Sequence, residues 1–321
     1  MFRMVERKSG WRRVLYGVWL GAVGLATAWT LMALWYQSPL PWRSLWIATA
    51  IGTAIAIPIL TRGRPRLRFA VLLAALAIVA LWWSTIRPSN ARDWATDVAH
   101  GVTAEIHGSR LVVSNVRDFQ WRTRQTFEPR WRTEVYDLDD LVSADLISSV
   151  WSNPAIAHTL ISFGFSDGRH LVFSAEIRRE RHEVFSEVGG FFKEFELVLI
   201  AAEERDIVRL RTDVRGETVS RFPLRIATDQ ARALLVAYLE AGNALDRKPR
   251  FYQTITTNCT TVIFRLARLV QPGVPADWRI LISGYLPDYL YQHAMIRTDV
   301  PLEEVKRQAV IPHSPAWAGH D

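Results

Sequence analysis

Residues 155–177 read AIAHTLISFGFSDGRHLVFSAEI and carry the clearest β-hairpin pattern in the chain. Two runs rich in β-branched and aromatic residues flank Ser166-Asp167-Gly168-Arg169, and Asp-Gly between such runs is strong turn chemistry. We expect two antiparallel strands here, Ala155–Phe165 and His170–Ile177. Further strands are expected around a turn within residues 101–116, and at residues 195–201 and 219–226.

Two helices are predicted in the same region. Thr228 can cap a helix from Asp229 to about Ala241, which Gly242-Asn243 would end. Asn258 is a natural N-cap for a second helix, Cys259–Val270, because Pro272-Gly273 follows it. Strands interspersed with a few helices predict an α+β domain.

The first part of the chain is apolar in three runs, Val14–Tyr36, Leu45–Leu60 and Phe69–Ile86. We expect three transmembrane helices, at about residues 14–36, 45–60 and 69–86, within an N-terminal region of residues 1–87. Residues 88–321 would then form one soluble domain. The second run is short and contains Pro58, and a re-entrant second segment would place that domain in the cytoplasm.

Positive charge gives the expected orientation. Lys and Arg are concentrated before the first span and between the second and third, which predicts a cytoplasmic N-terminus and a periplasmic domain at the bacterial inner membrane. The net charge of +7 has the same origin, since the first 92 residues hold 12 Lys/Arg and one acid. The soluble domain is therefore acidic, and no nucleic-acid partner is expected.

Cys259 is the only cysteine, so it cannot form an internal disulfide. It is a packing residue, a redox liability or a nucleophile. At the first turn of a helix the dipole favours the thiolate, and free backbone N–H groups could hold an oxyanion. His158, at the start of a strand, is the best candidate base among the eight histidines.

A metal site is a weaker hypothesis than a nucleophilic Cys259. The acidic clusters at residues 137–140 and 203–206 lack the ligand spacing of calcium or zinc sites, and they are interpreted as solvated faces or helix N-termini. We expect no metal and no cofactor.

Several separate motifs, in the same order, resemble the Lnb-type family of envelope proteins, over about residues 88–295. They are Asn115-Val116-Arg117-Asp118-Phe119, Tyr136-Asp137-Leu138, Ala157-His158-Thr159, Ser162-Phe163-Gly164-Phe165, Glu176-Ile177-Arg178-Arg179-Glu180, Glu204-Arg205-Asp206 and Thr257-Asn258-Cys259-Thr260-Thr261. The order of histidine before cysteine also resembles circularly permuted papain-like (NlpC-like) thiol enzymes such as lecithin:retinol acyltransferase. In that protein an Asn-Cys pair opens the nucleophile helix.

The resemblance implies a lipoprotein N-acyltransferase-like reaction. Cys259 would take an acyl chain from a membrane phospholipid, and an amine such as a lipoprotein N-terminus would accept it. His158 would act as base, oriented by His170 or, slightly more attractively, by Glu176. Asn258, Thr260 and Arg178 would support the site or the substrate.

Two other hypotheses about the function remain. One is hydrolysis by the same residues, as a cell-wall peptidase or amidase, or as a lipase. The other is a non-catalytic envelope module. An apolar groove beside Cys259 would favour acyl transfer, and a polar open cleft would favour a peptidase. The oligomeric state is not indicated.

Overall fold

The computed structural model describes residues 2–313, so residues 314–321 at the end of the predicted domain lie outside the described part. The chain forms two compact units. One contains the chain up to Pro88 together with Ser186–Glu194, a segment that the sequence analysis placed in the soluble domain. The other contains Ser89–Phe185 and the chain from Phe195 onward.

The first unit is built on three helices: α1 (Phe2–Gln37), α2 (Leu40–Leu60) and α3 (Pro65–Thr85). All three are long and apolar enough to cross a membrane, α1 over residues 13–37. Gln37 at the end of α1 and Trp83 near the end of α3 both bond to the Phe192-Lys193 stretch of Ser186–Glu194. The carboxyl ends of α1 and α3 therefore lie on the same side, which requires α2 to return between them.

The second unit is a mixed α+β fold around an eight-stranded sheet. Its order is β1-β2-β9-β8-β7-β6-β10, with β5 also paired to β2, and the pairing is antiparallel except between β2 and β9. A separate two-stranded ribbon joins β3 to β4. The strands are β1 (Thr103–His107), β2 (Arg110–Arg117), β3 (Gln120–Trp121), β4 (Phe127–Glu128), β5 (Trp131–Asp137), β6 (Leu141–Val150), β7 (His158–Phe165), β8 (His170–Arg178), β9 (Glu196–Glu203) and β10 (Thr218–Pro223).

The predicted hairpin lies at the centre of this sheet as β7 and β8. Gly168 in its turn has a φ of +83°, the left-handed conformation that glycine adopts without a steric cost. The register pairs Leu160 with Ser174 and Gly164 with His170. If the same register continues for two residues beyond the Leu160–Ser174 pair, His158 lies beside Glu176 at one end of the hairpin. His170 lies at the other end.

Five helices accompany the sheet: α4 (Glu204–Arg209), α5 (Thr228–Arg247), α6 (Cys259–Val270), α7 (Leu286–Gln292) and α8 (Leu302–Ala309). The helices α5 to α8 cover one face, where Phe163 and Phe173 pack with Tyr238. On the other face, Leu160 and Val172 pack with Ile207 of α4. A π-helical segment, Leu210–Val214, continues α4.

The predicted end of α5 at Ala241 is wrong, and so is its cap, because the helix begins at Thr228 after Ala227 and runs through Gly242 to Arg247. Gly242 is there for packing. A Cβ at this position would lie 2.6 Å from the carbonyl oxygen of Val102, so only glycine lets α5 approach β1 this closely.

Two of the family-like motifs form reciprocal ion pairs. Arg117 Nε donates to Asp206 at 2.8 Å, and Arg205 Nη2 donates to Asp118 at 2.8 Å. Asp206 is fully buried and also accepts from the Trp121 indole. Of the two interpretations of residues 203–206, the helix N-terminus is confirmed, because α4 begins at Glu204. The solvated face is wrong for Asp206, which ties α4 to β2 and the β3–β4 ribbon.

Candidate active site

Cys259 is the first residue of α6, as the Asn258 cap predicts. The Asn258 side chain accepts from the Thr261 N–H at 2.8 Å, and the Thr261 hydroxyl accepts from the Asn258 N–H at 2.8 Å. This capping box fixes the start of the helix. Among the described residues, the N–H groups of Cys259 and Thr260 have no hydrogen-bond partner. They form a short row of free donors next to a largely buried thiol.

Cys259 and His158 lie close enough to change each other's protonation. Burial opposes the thiolate, but the charge of His158, a hydrogen bond to it and weaker bonds from Thr159 lower the pKa of Cys259 to about 6. Burial likewise opposes the imidazolium and is the largest single effect, but Glu176 and Cys259 together outweigh burial and the charge of Arg211 and raise the pKa of His158 to about 9. Near neutral pH the pair is therefore a thiolate and an imidazolium.

Glu176 and Ser174 hold the far side of the imidazole. His158 Nε2 lies 3.1 Å from Glu176 Oε1 and 2.7 Å from Ser174 Oγ, and the Ser174 hydroxyl donates to Glu176 Oε1 at 2.6 Å. Nε2 is therefore the ring nitrogen that Glu176 and Ser174 hold. Burial would raise the pKa of Glu176, but His158, then Arg211 and Ser174, hold it well below the usual range.

Arg211 completes this charge network from the π-helical segment. Its Nη2 donates to Glu176 Oε1 at 3.0 Å, and its side chain is buried. Arg211 was not predicted, because nothing in the sequence around it indicates a role and it is 35 residues from Glu176. Ser174 was also missed, although strand alternation alone puts it on the same face as Glu176.

Two further hydroxyls and a phenol close the site around the thiol. Thr159 Oγ1 lies 3.2 Å from Thr260 Oγ1, and both threonines are buried. The Tyr238 hydroxyl is buried without a hydrogen-bond partner in the described chain. Burial first, and the nearby Cys259 second, raise the pKa of Tyr238. Tyr238 therefore stays a neutral phenol beside the thiolate.

An apolar cavity runs from this site along α6. Thr260, the residue after Cys259, lies in its wall, and the residues that line it recur every three or four positions along α6 and on to Gln271, just past the end of the helix. That distance is about 16 Å at the rise of an α-helix. The opposite walls come from β6, β7, α5 and α7, with Leu146, Ile161, Leu234, Leu286, Tyr289 and Leu290.

The structure separates the other predicted site residues from the thiol. His170 does not orient His158, because it lies six residues along the hairpin, about 20 Å away, and contacts Ser162 and Glu204 instead. Arg178 does not reach the site either. It is buried over the Trp94 ring and donates to the carbonyl oxygens of Val98 and Ala99. It holds the start of the domain on the sheet. No group of three or more metal-ligating side chains occurs among the described residues.

Comparison with known proteins places this arrangement in a family. Residues 127–284, which include β5 to β10 and the Cys259 helix, match the model of a family described as the Lnb N-terminal periplasmic domain. No curated protein and no solved structure matches the chain. Together with three apolar helices, the match fits a membrane-anchored protein. Residues 127–284 are therefore an Lnb N-terminal periplasmic domain, and the match supports an Lnb-type envelope protein.

Proposed function

We propose that this protein is a thiol acyltransferase that forms a thioester on Cys259. The observation that carries the proposal is a low-pKa thiol paired with a largely buried imidazolium whose Nε2 lies 3.1 Å from the carboxylate of Glu176. This is the arrangement that nucleophilic catalysis by cysteine requires. The position of Cys259 beside two free N–H groups adds a place for a developing oxyanion.

In the first half-reaction the Cys259 thiolate attacks the carbonyl carbon of a phospholipid ester. A C–S bond forms, and the negative charge moves to the carbonyl oxygen, within reach of the N–H groups of Cys259 and Thr260. The intermediate collapses when the C–O bond breaks. The leaving alkoxide takes the proton from the His158 imidazolium, and a lysophospholipid departs.

In the second half-reaction an amine attacks the thioester. His158, now neutral, accepts a proton from the attacking nitrogen, and the C–S bond breaks to give an amide. The thiolate and the imidazolium are regenerated, so the cycle consumes one ester and one amine and yields one amide and one alcohol. Glu176 and Ser174 keep the imidazole in place through both steps.

The apolar cavity supports a lipid acyl group over a peptide as the substrate. A peptide has an amide group in every residue, and burying these groups against the apolar lining without hydrogen-bond partners would be costly. The hydrocarbon part of an acyl chain has no polar groups. Membrane helices in the same chain support this choice, since tethering would keep the thiol near substrates that are themselves confined to a leaflet. A lipoprotein N-terminus is the proposed acceptor, because its amine is held in that leaflet.

The proposal includes a circularly permuted papain-like core and a periplasmic location. The first rests on the order of the elements, with the histidine strand β7 before the cysteine helix α6. The second rests on the family match and on the Lys/Arg distribution around the spans.

The test is a search for the thioester in the full-length protein reconstituted with phospholipid vesicles. Intact mass spectrometry should show one acyl mass on Cys259 that hydroxylamine removes. Cys259→Ala should abolish it while thermal unfolding stays unchanged, and His158→Ala should reduce it strongly. An unacylated wild-type protein in the presence of donor lipid would contradict the mechanism.

The acceptor is tested separately. A strain depleted of its lipoprotein N-acyltransferase is complemented with the wild type or Cys259→Ala, and a lipoprotein N-terminus is analysed by mass spectrometry. N-acylation by the wild type alone supports the proposed acceptor. A thioester that forms in vitro but yields only free fatty acid would replace the transferase with a hydrolase.

A further inference from the structure

The segment between β8 and β9, Ser186–Glu194, belongs to the membrane unit and not to the sheet unit from which it emerges. It folds as a compact turn. The Gly189 N–H donates to the Ser186 hydroxyl at 3.0 Å, and the Phe192 N–H donates to the Gly189 carbonyl at 2.8 Å. The segment therefore has a defined shape that can present particular side chains.

Polar bonds fix this segment to the ends of two membrane helices. Gln37 Nε2 donates to the carbonyl oxygens of Phe192 and Lys193, both at 2.9 Å. Lys193 Nζ donates to the carbonyl oxygens of Trp83 at 2.7 Å and of Ile86 at 3.3 Å. A cation at the last carbonyls of α3 also interacts favourably with the helix dipole.

Aromatic contacts show how deep the segment reaches. The Phe192 ring stacks on Tyr36 with a centroid distance of 5.6 Å and lies 6.0 Å from the Trp29 ring. Trp29 is eight residues before Gln37, about 12 Å along the helix axis. Phe192 therefore lies beside the last two turns of the α1 span, below the level of the helix end.

Two apolar neighbours of Phe192 are uncovered. Val188 is 45% exposed and Phe191 is 44% exposed, although they belong to a segment held against the spans. Around them the carboxyl ends of α1 and α3 carry aromatic residues of the kind that mark a membrane interface, including Trp35 and Trp82. The exposed Glu187 would keep the segment near the headgroups, because a charge in the hydrocarbon centre is costly.

We propose that Ser186–Glu194 is an interfacial lipid anchor. Val188 and Phe191 contact the acyl chains of the leaflet in which α1 and α3 end, and the bonds from Gln37 and Lys193 hold the anchor at that depth. The occupant is the phospholipid bilayer itself, and the proposal does not depend on the proposed acyl transfer. Its consequence is that the connection between β8, which carries Ser174 and Glu176, and β9 includes a lipid-bound turn.

Site-directed spin labelling tests this proposal, and the single cysteine makes the design simple. Phe191→Cys and, separately, Val188→Cys are introduced into the Cys259→Ser protein, labelled, and reconstituted into nanodiscs of phosphatidylethanolamine and phosphatidylglycerol. Leu73→Cys provides the lipid reference, since Leu73 is 65% exposed on α3. Asp299→Cys provides the aqueous reference, since that side chain is also exposed.

The expected result is greater accessibility to oxygen than to a water-soluble nickel chelate at positions 188 and 191, with depth values between the two references. Values equal to those of position 299 would overturn the proposal, because the side chains would then face water. Low accessibility to both reagents would also overturn it, because a protein surface would be covering them. Circular dichroism of each labelled protein checks that the fold is retained.

Discussion

At the residue scale, the two pKa shifts at Cys259 and His158 define a pH window for the ion pair. Below about pH 6 the thiolate is protonated, and above about pH 9 the imidazolium loses its proton. We expect kcat/KM for acylation to be bell-shaped, with limbs near these values. The Glu176→Gln substitution removes the charge that raises the pKa of His158, so its alkaline limb should move to lower pH. An unmoved limb would contradict this role of Glu176.

Conversion of Cys259 to a methyl disulfide reports the thiolate without any substrate. In the wild type the rate with methyl methanethiosulfonate, measured against pH, should reach half its plateau near pH 6. His158→Ala removes the charge and the hydrogen bond that favour the thiolate while burial remains, so the midpoint should rise by two or more pH units. At pH 7 the thiolate fraction should fall roughly tenfold or more. Normalising each curve to its own plateau removes differences in access, and an unchanged midpoint would show that His158 does not stabilise the thiolate.

Arg211 acts on the same pair with the opposite sign. Its positive charge disfavours the imidazolium, so Arg211→Met should move the alkaline limb to higher pH, whereas Glu176→Gln moves it to lower pH. We also expect kcat to fall about tenfold, because Glu176 loses the donor that fixes its carboxylate. Arg211→Lys keeps the charge and is the matched control, with the limb near its wild-type position. If the alkaline limb shifts equally in both Arg211 variants, packing and not charge causes the shift.

At the element scale, local sequence was enough to predict the β7–β8 hairpin and the helix Cys259–Val270. The turn residues specify the hairpin, and the N-cap specifies the start of the helix. The strand β6 was missed because it is rich in polar residues. Asp145 and Ser149 lie buried in it and are satisfied by Arg221 and Glu217, partners that come from distant parts of the chain. The choice between His170 and Glu176 depended likewise on register, which spacing alone did not reveal.

A Gly242→Ala substitution in α5 tests whether the close approach of this helix to β1 outweighs the higher helix propensity of alanine. In an exposed helix, Gly→Ala is stabilising by about 1 kcal/mol. Here the new Cβ would meet the Val102 carbonyl oxygen at 2.6 Å, so we expect Gly242→Ala to lower the free energy of unfolding by about 1–3 kcal/mol. Gly273→Ala is the control, because no atom lies within 4 Å of its Cβ position. Chemical denaturation of both variants measures the difference, and a stabilised Gly242→Ala would show that α5 can move away from β1.

At the scale of the whole molecule, the orientation of the spans decides which compartment the thiol faces. Because the carboxyl ends of α1 and α3 lie on the same side, a membrane crossed by all three helices would separate Gly63, between α2 and α3, from Pro88, which follows α3. The arginines around Gly63 predict that its side is the cytoplasm. In the Cys259→Ser protein, Asp299→Cys should therefore react with a membrane-impermeant maleimide in intact spheroplasts, and Gly63→Cys should react only after lysis. The reverse pattern would place Cys259 in the cytoplasm, where periplasmic lipoproteins could not be its acceptors.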